Sequence, residues 1–130
     1  MKVLIDTDAI FGFYIKTDSH HNASQLIHTK LHQENADLFI TNLVLYETAT
    51  VLSHKTTQQQ AVAVMKTLLN TNYTLIFIDE LLTEKTFDVF FSQTKKGTSF
   101  VDCANMIVAQ EFKLDKIFSF DEFYPAKLRF

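Results

Sequence analysis

Lys2-Val3-Leu4-Ile5-Asp6-Thr7-Asp8 opens the chain with three apolar residues ended by an acid, and Lys116-Ile117-Phe118-Ser119-Phe120-Asp121 repeats the arrangement near the other end. A short apolar run without alternation suits a strand buried on both faces. Leu38-Phe39-Ile40 and Leu75-Ile76-Phe77-Ile78 are two more such runs. The stretches between them carry helical spacing. Residues 9–15 read as a short aromatic helix. Asp18 or Ser19 is placed to cap a helix running to about residue 34, with Ala23, Ile27 and Leu31 four apart. Thr41 or Asn42 caps the next, with Leu45, Ala49 and Leu52 on one face. Thr56 or Thr57 opens another, with Ala61, Val64, Met65, Leu68 and Leu69 expected to face inward. Asp79 starts a helix carrying Leu82, Phe87, Phe90 and Phe91. Gly97 breaks the chain, and Ser99 caps a helix to about residue 112. Residues 128–130, beyond Pro125, are a candidate edge strand.

Strands alternating with helices predict an α/β fold: three layers, α/β/α, around a mostly parallel sheet. Ligands of such folds gather outside the carboxyl ends of the strands, where the strand order reverses. Asp6 and Asp121 both end strands, so both are expected at one crevice. The length of 130 residues fits one domain over 1–130. The N-terminal apolar run is too short for a signal-peptide core, and no stretch approaches a membrane span. A single cysteine, Cys103, forms no internal disulfide. These features point to the cytoplasm and away from a membrane.

Four carboxylates stand beside apolar runs. Asp6 and Asp121 end strands. Glu47 lies on the helix after the second strand, flanked at i−3 and i+4 by Val44 and Val51. Asp102 falls in the first turn of its helix. Converging carboxylates repel by about 4 kcal/mol per pair at 4 Å and an effective dielectric of 20. Protons or hard divalent cations must balance such a cluster, and oxygen donors suit the latter. The formal net charge is −3, which alone disfavours a nucleic-acid ligand. These four acids carry −4 of it, so the remainder of the chain carries +1. Each acid also has a plainer role: a strand-end turn for Asp6 and Asp121, a surface helix position for Glu47, and a capping box for Asp102 with Ser99.

In these residues the chain resembles the PIN domains, especially the VapC-like toxins of toxin–antitoxin pairs. The opening strand with Asp6 and Thr7, the segment around Glu47, the Ser99-x-x-Asp102 segment and the Ser119-x-Asp121-x-Phe123 strand end all carry the likeness, in order. The resemblance implies a strand order of 3-2-1-4-5. It implies a Mg²⁺- or Mn²⁺-dependent endoribonuclease, often a homodimer, with a possible antitoxin partner. Asp6, Asp102 and Asp121 would hold the metal, and Glu47 a second ion or the attacking water. Thr7, Ser99 and Ser119 would support them by hydrogen bonds. Asp8 departs from the usual pattern, and its role is open.

Other readings compete. Asp6-Thr7-Asp8 after a strand also suits a haloacid-dehalogenase-like phosphatase with Asp6 as nucleophile, although no convincing downstream lysine motif follows. A receiver-like phospho-acceptor would want an acid ending the third strand, which Asp79 fits loosely. A PIN-like binding module without catalysis would have replaced its acids. His20, His21 and His28 read as solvated or capping, and Cys103 as a small buried hydrophobe. Phe11, Phe13 and Tyr14 belong to the core or to a dimer or antitoxin surface. Lys95 and Lys96 form a loop pair open to phosphate.

Overall fold

The computed structural model describes residues 1–130. The chain runs β1 (Lys2–Ile5), α1 (Thr7–Tyr14), α2 (His21–Gln33), β2 (Asp37–Thr41), α3 (Asn42–Lys55), α4 (Gln58–Leu69) and β3 (Thr74–Ile76). It continues through α5 (Glu80–Phe91), α6 (Phe100–Glu111), β4 (Lys116–Phe118) and a 3-10 turn (Ala126–Leu128). The strands form one parallel sheet in the order β3-β2-β1-β4.

Alternation along β1 divides the core into two layers. Val3 and Ile5 pack with Ala9, Ile10, Leu31, Val44, Leu45 and Leu68 from α1 to α4. Leu4 faces the other way, onto Val108 and Ala109 of α6, with Ile117 and Tyr124. Helices thus cover both faces, giving the expected three layers. The order reverses beside β1: the chain moves from β1 to β2 and β3 on one side, then returns to place β4 on the other. The crevice at the end of β1 and β4 is therefore where the fold opens a site.

Side-chain caps begin most helices as the sequence suggests. Thr41 Oγ1 accepts from Val44 N–H, Thr57 Oγ1 from Gln60 N–H, Asp79 Oδ1 from Leu82 N–H and Ser99 Oγ from Asp102 N–H. The start of α2 differs. Asp18 Oδ2 instead accepts from His20 N–H at 3.0 Å, and the helix begins at His21 with no side-chain cap.

Five other expectations are corrected. The sheet has four strands, and the fifth position of the 3-2-1-4-5 order is unfilled. Residues after Pro125 turn into the 3-10 helix, where Lys116 Nζ donates to the carbonyls of Lys127 and Arg129 and ties the tail down. The expected fourth strand stops at Phe118, because Phe120 N–H donates to Asp8 Oδ2 and Asp121 N–H to Ser119 Oγ rather than to a neighbouring strand. The third stops at Ile76, and Ile78 N–H goes to Asn42 Oδ1 instead. Leu69, expected to face inward, is 57 % exposed at the last turn of α4.

Candidate active site

Asp6 is where β1 ends, and its backbone conformation is set by its role as the N-cap of α1. Its N–H still completes the sheet by donating to the Phe118 carbonyl. The carboxylate is 5 % exposed and accepts on both oxygens. Oδ1 takes Thr7 N–H at 2.9 Å and Asn105 Nδ2 at 3.1 Å; Oδ2 takes the Ser119 hydroxyl at 2.9 Å and the Tyr124 hydroxyl at 3.0 Å.

Two hydroxyls link this carboxylate to its neighbours. Ser119 Oγ lies 3.2 Å from each oxygen of Asp8 and accepts from Asp121 N–H. Tyr124 OH lies 3.1 Å from Asp102 Oδ1 and accepts from Asn105 Nδ2. Each hydroxyl has one proton and two carboxylates to serve. Neutralisation inside the cluster is therefore incomplete. Burial, then the charge of Asp8, pushes the Asp6 carboxyl up to about 7, against the lowering effect of its donors. Asp8 is raised by burial as well, and Asp102 by burial and by Asp121.

Asp102 N–H bonds to Ser99 Oγ, and its carboxylate interacts with Tyr124 OH and with Ser99. Asp121 is exposed at the mouth, where Oδ1 accepts from Phe123 N–H at 2.9 Å. Glu47, half-buried on α3, lines the same cavity as Asp6, Asp102 and Asp121. The four acids selected from sequence are thus brought together, and Asp8 and Asp18 join them. The cavity is about 480 Å³, against roughly 30 Å³ per water molecule. It has room for a hydrated ion together with a phosphate group. No three acidic, histidine or cysteine side chains form a ready-made metal cage. A hollow of about 240 Å³ elsewhere, between α1, α2 and β2, is mainly apolar and holds none of these acids.

Of the three hydroxyls expected to support the acids, Ser119 and Ser99 do so. Thr7 contributes its N–H to Asp6, while its hydroxyl accepts from Thr48 at 3.5 Å. Sequence reasoning missed Tyr124 and Asn105 and left Asp8 open. Asn105 is fully buried, and both its Nδ2 bonds go to the site, leaving Oδ1 without a partner. Reversing that amide would aim its oxygen at the Asp6 carboxylate. Asn105 lies one turn after Asp102 on the same helix face, a signal that was available. Nothing in periodicity marks Tyr124.

The remaining candidates have ordinary places. His21 Nδ1 contacts the Gly12 carbonyl, and His28 packs beside Phe13. His20 stacks on Phe120 with ring centroids 4.2 Å apart. Cys103 is buried. Phe11 and Tyr14 pack against the core around Leu52 and Ala61, and Phe13 meets Tyr14 edge-on. Lys95 and Lys96 are exposed.

No protein-family model matches the chain. Among curated proteins, a VapC ribonuclease of Archaeoglobus fulgidus is 35 % identical over 127 residues, spanning 93 % of this chain and 78 % of that protein. Among solved structures, Mycobacterium tuberculosis VapC20, described as a Sarcin-Ricin loop cleaving toxin, superposes with a TM-score of 0.79 at 21 % identity, covering 92 % of this chain and 89 % of that one. Rickettsia felis VapBC2, bound to a DNA fragment from its promoter, gives 0.70 at 14 % identity, covering 100 % and 98 %. At these identities the two structures speak for the fold.

Proposed function

The chain belongs to the VapC ribonuclease family of PIN-domain toxins, and on that premise we propose that it is an endoribonuclease that hydrolyses RNA phosphodiester bonds with Mg²⁺ or Mn²⁺. One observation carries the reading: acids from the β1–α1 junction, α3, α6 and the loop after β4 line one cavity, with the most buried of them raised to about 7. Such a site is under electrostatic tension that a cation relieves. The donor set is all hard oxygen, which fits these two ions. A closed cage is unnecessary, because Mg²⁺ keeps several waters and uses one or two carboxylates plus substrate phosphate.

Asp6, Asp102 and Asp121 would hold the ion, directly or through water. When bound, it would supply positive charge against the phosphate and acidify a coordinated water. The chain's own part is orientation. Tyr124 and Asn105 fix the buried side of Asp6, Tyr124 aligns Asp102 with it, and Ser119 couples Asp6 to Asp8. Glu47 would orient the attacking water and take up its proton. The water oxygen bonds to phosphorus, the P–O3′ bond breaks, and the 3′ oxygen takes a proton. The products are a 5′-phosphate and a 3′-hydroxyl.

The phosphatase alternative wants a downstream lysine beside the Asp6-Thr7-Asp8 pair, and no convincing lysine motif follows it in the sequence. A binding module without catalysis has no need of four intact acids around one cavity. Incubating RNA with the chain and Mn²⁺ or Mg²⁺ is expected to give cleavage that chelation stops. Asp6→Asn should reduce it at least about a hundredfold, since even groups behind metal ligands cost 10–100-fold. It should remain folded, because an Asn amide can donate to Ser119 Oγ and Tyr124 OH. Retained cleavage by the variant, or a trapped aspartyl-phosphate, would overturn the reading.

The VapBC2 neighbour supports an antitoxin partner for this chain. A homodimer is supported by exposed aromatic surface on α5, where Phe91 is 75 % exposed and stacks on Phe87. RNA as the substrate would put the protein in the cytoplasm, and no helix is long and apolar enough to cross a membrane.

A further inference from the structure

Six acids line the proposed active-site cavity: Asp6, Asp8, Asp18, Glu47, Asp102 and Asp121. A divalent cation held by these residues would offset two of these charges for the phosphate being cut. The phosphates on either side of that bond would still meet a negative wall, so the strand needs a path out of the cavity along positive charge.

One such path exists. Glu47, Val51 and Lys55 recur four apart along α3 and all line the acidic cavity, so Lys55 marks its rim two turns from Glu47. Lys55 is the only lysine or arginine in that lining. It is not spent on an acid: the chain's one salt bridge is Lys85–Glu111. Instead Lys55 Nζ stands 5.6 Å from the ring centroid of Phe11, a position that holds the ammonium without neutralising it.

A second, more open cavity of about 670 Å³ shares Phe11, Asp18 and Lys55 with the first. Lys16, Thr17, Thr56 and Gln60 join Lys55 in lining it, and Asp18 is its one acid. The balance of charge thus reverses across Lys55, from acidic to basic. The added groups are those that bind sugar-phosphate backbone: ammonium, hydroxyl and amide. Tyr14, half-buried, adds aromatic surface on which an unstacked base can rest.

We propose that this adjoining cavity takes the single-stranded RNA backbone flanking the cleaved bond, with Lys55 and Lys16 as its phosphate contacts. The proposal deepens, and rests on, the ribonuclease reading. It assigns these lysines to positioning substrate, with no part in bond breaking.

The test uses the Asp6→Asn protein, so that bound RNA is not cut, and a random-sequence single-stranded RNA pool as probe. Affinity is measured against salt concentration. Adding Lys16→Gln and Lys55→Gln should weaken binding about tenfold at low salt and make the log–log salt slope shallower by roughly 1.4, at about 0.7 per contact. Lys16→Arg with Lys55→Arg should restore both. Both lysines are exposed, so neither exchange endangers the fold. Unchanged affinity and slope in the glutamine variant, or no RNA binding at all, would overturn the proposal. Cleavage by the unaltered chain is scored separately. Binding that depends on the lysines without any cleavage would sink the nuclease reading and leave the subsite. Cleavage with binding indifferent to the lysines would do the reverse.

Discussion

Asp6 accepts four hydrogen bonds, and its carboxyl is still raised to about 7, first by burial and then by the charge of Asp8. The consequence for stability has a definite sign. In the metal-free chain the native state keeps a proton that the unfolded chain loses near pH 4. Native stability therefore falls as pH rises from about 4 through about 7, and levels off above. For Asp6 the loss is on the order of 4 kcal/mol. Asp8 and Asp102, raised for the same reason, add to it in the same direction. Denaturant unfolding of chelator-treated protein across that range should show the decline, and Asp6→Asn should flatten much of it. An equally steep decline in the variant would mean that Asp6 is not the group under strain.

At the scale of elements, each acid is fixed by an ordinary structural device. Asp6 ends a strand and caps α1, Asp102 follows the Ser99 cap, and Glu47 is one turn into α3 behind the Thr41 cap. Ser99→Ala should destabilise the protein by about 1 kcal/mol and Ser99→Thr by less. Chemical denaturation checks this, and equal losses for both would separate α6 from its cap. These devices explain why much of the site was legible. Apolar runs ended by acids and Ser/Thr caps are local patterns, and they gave the strands, the helices, the four acids and the Ser99 cap, while Ser119 was marked only by the family resemblance. What stayed hidden was set by distant partners. Asp8 is engaged by Ser119 and Phe120, over a hundred positions away. Tyr124 reaches Asp6 from a tail without helical or strand spacing. The missing fifth strand has the same origin: the tail is fixed by Lys116, which donates to the carbonyls of Lys127 and Arg129, and by Phe130 meeting Phe118 edge-on, not by a strand ladder.

For the whole molecule, the net charge of −3 conceals a division between an acidic cavity and the lysines beside it. The aromatic surface of α5 is exposed, and the proposed homodimer would cover it. Phe91→Glu should then lower the mass read by light scattering to that of a monomer, and an unaltered mass would remove α5 from the proposed interface. The account as a whole depends on carboxylates that folding forces together and a divalent ion makes tolerable. Calorimetric titration of Mn²⁺ into the chain near pH 7, in two buffers of different ionisation enthalpy, addresses that directly. Binding should release protons, because the ion displaces the one that Asp6 holds at that pH. Asp6→Asn should bind far more weakly, with that proton release gone. No binding by the unaltered chain, or equal binding and proton release by the variant, would contradict the account.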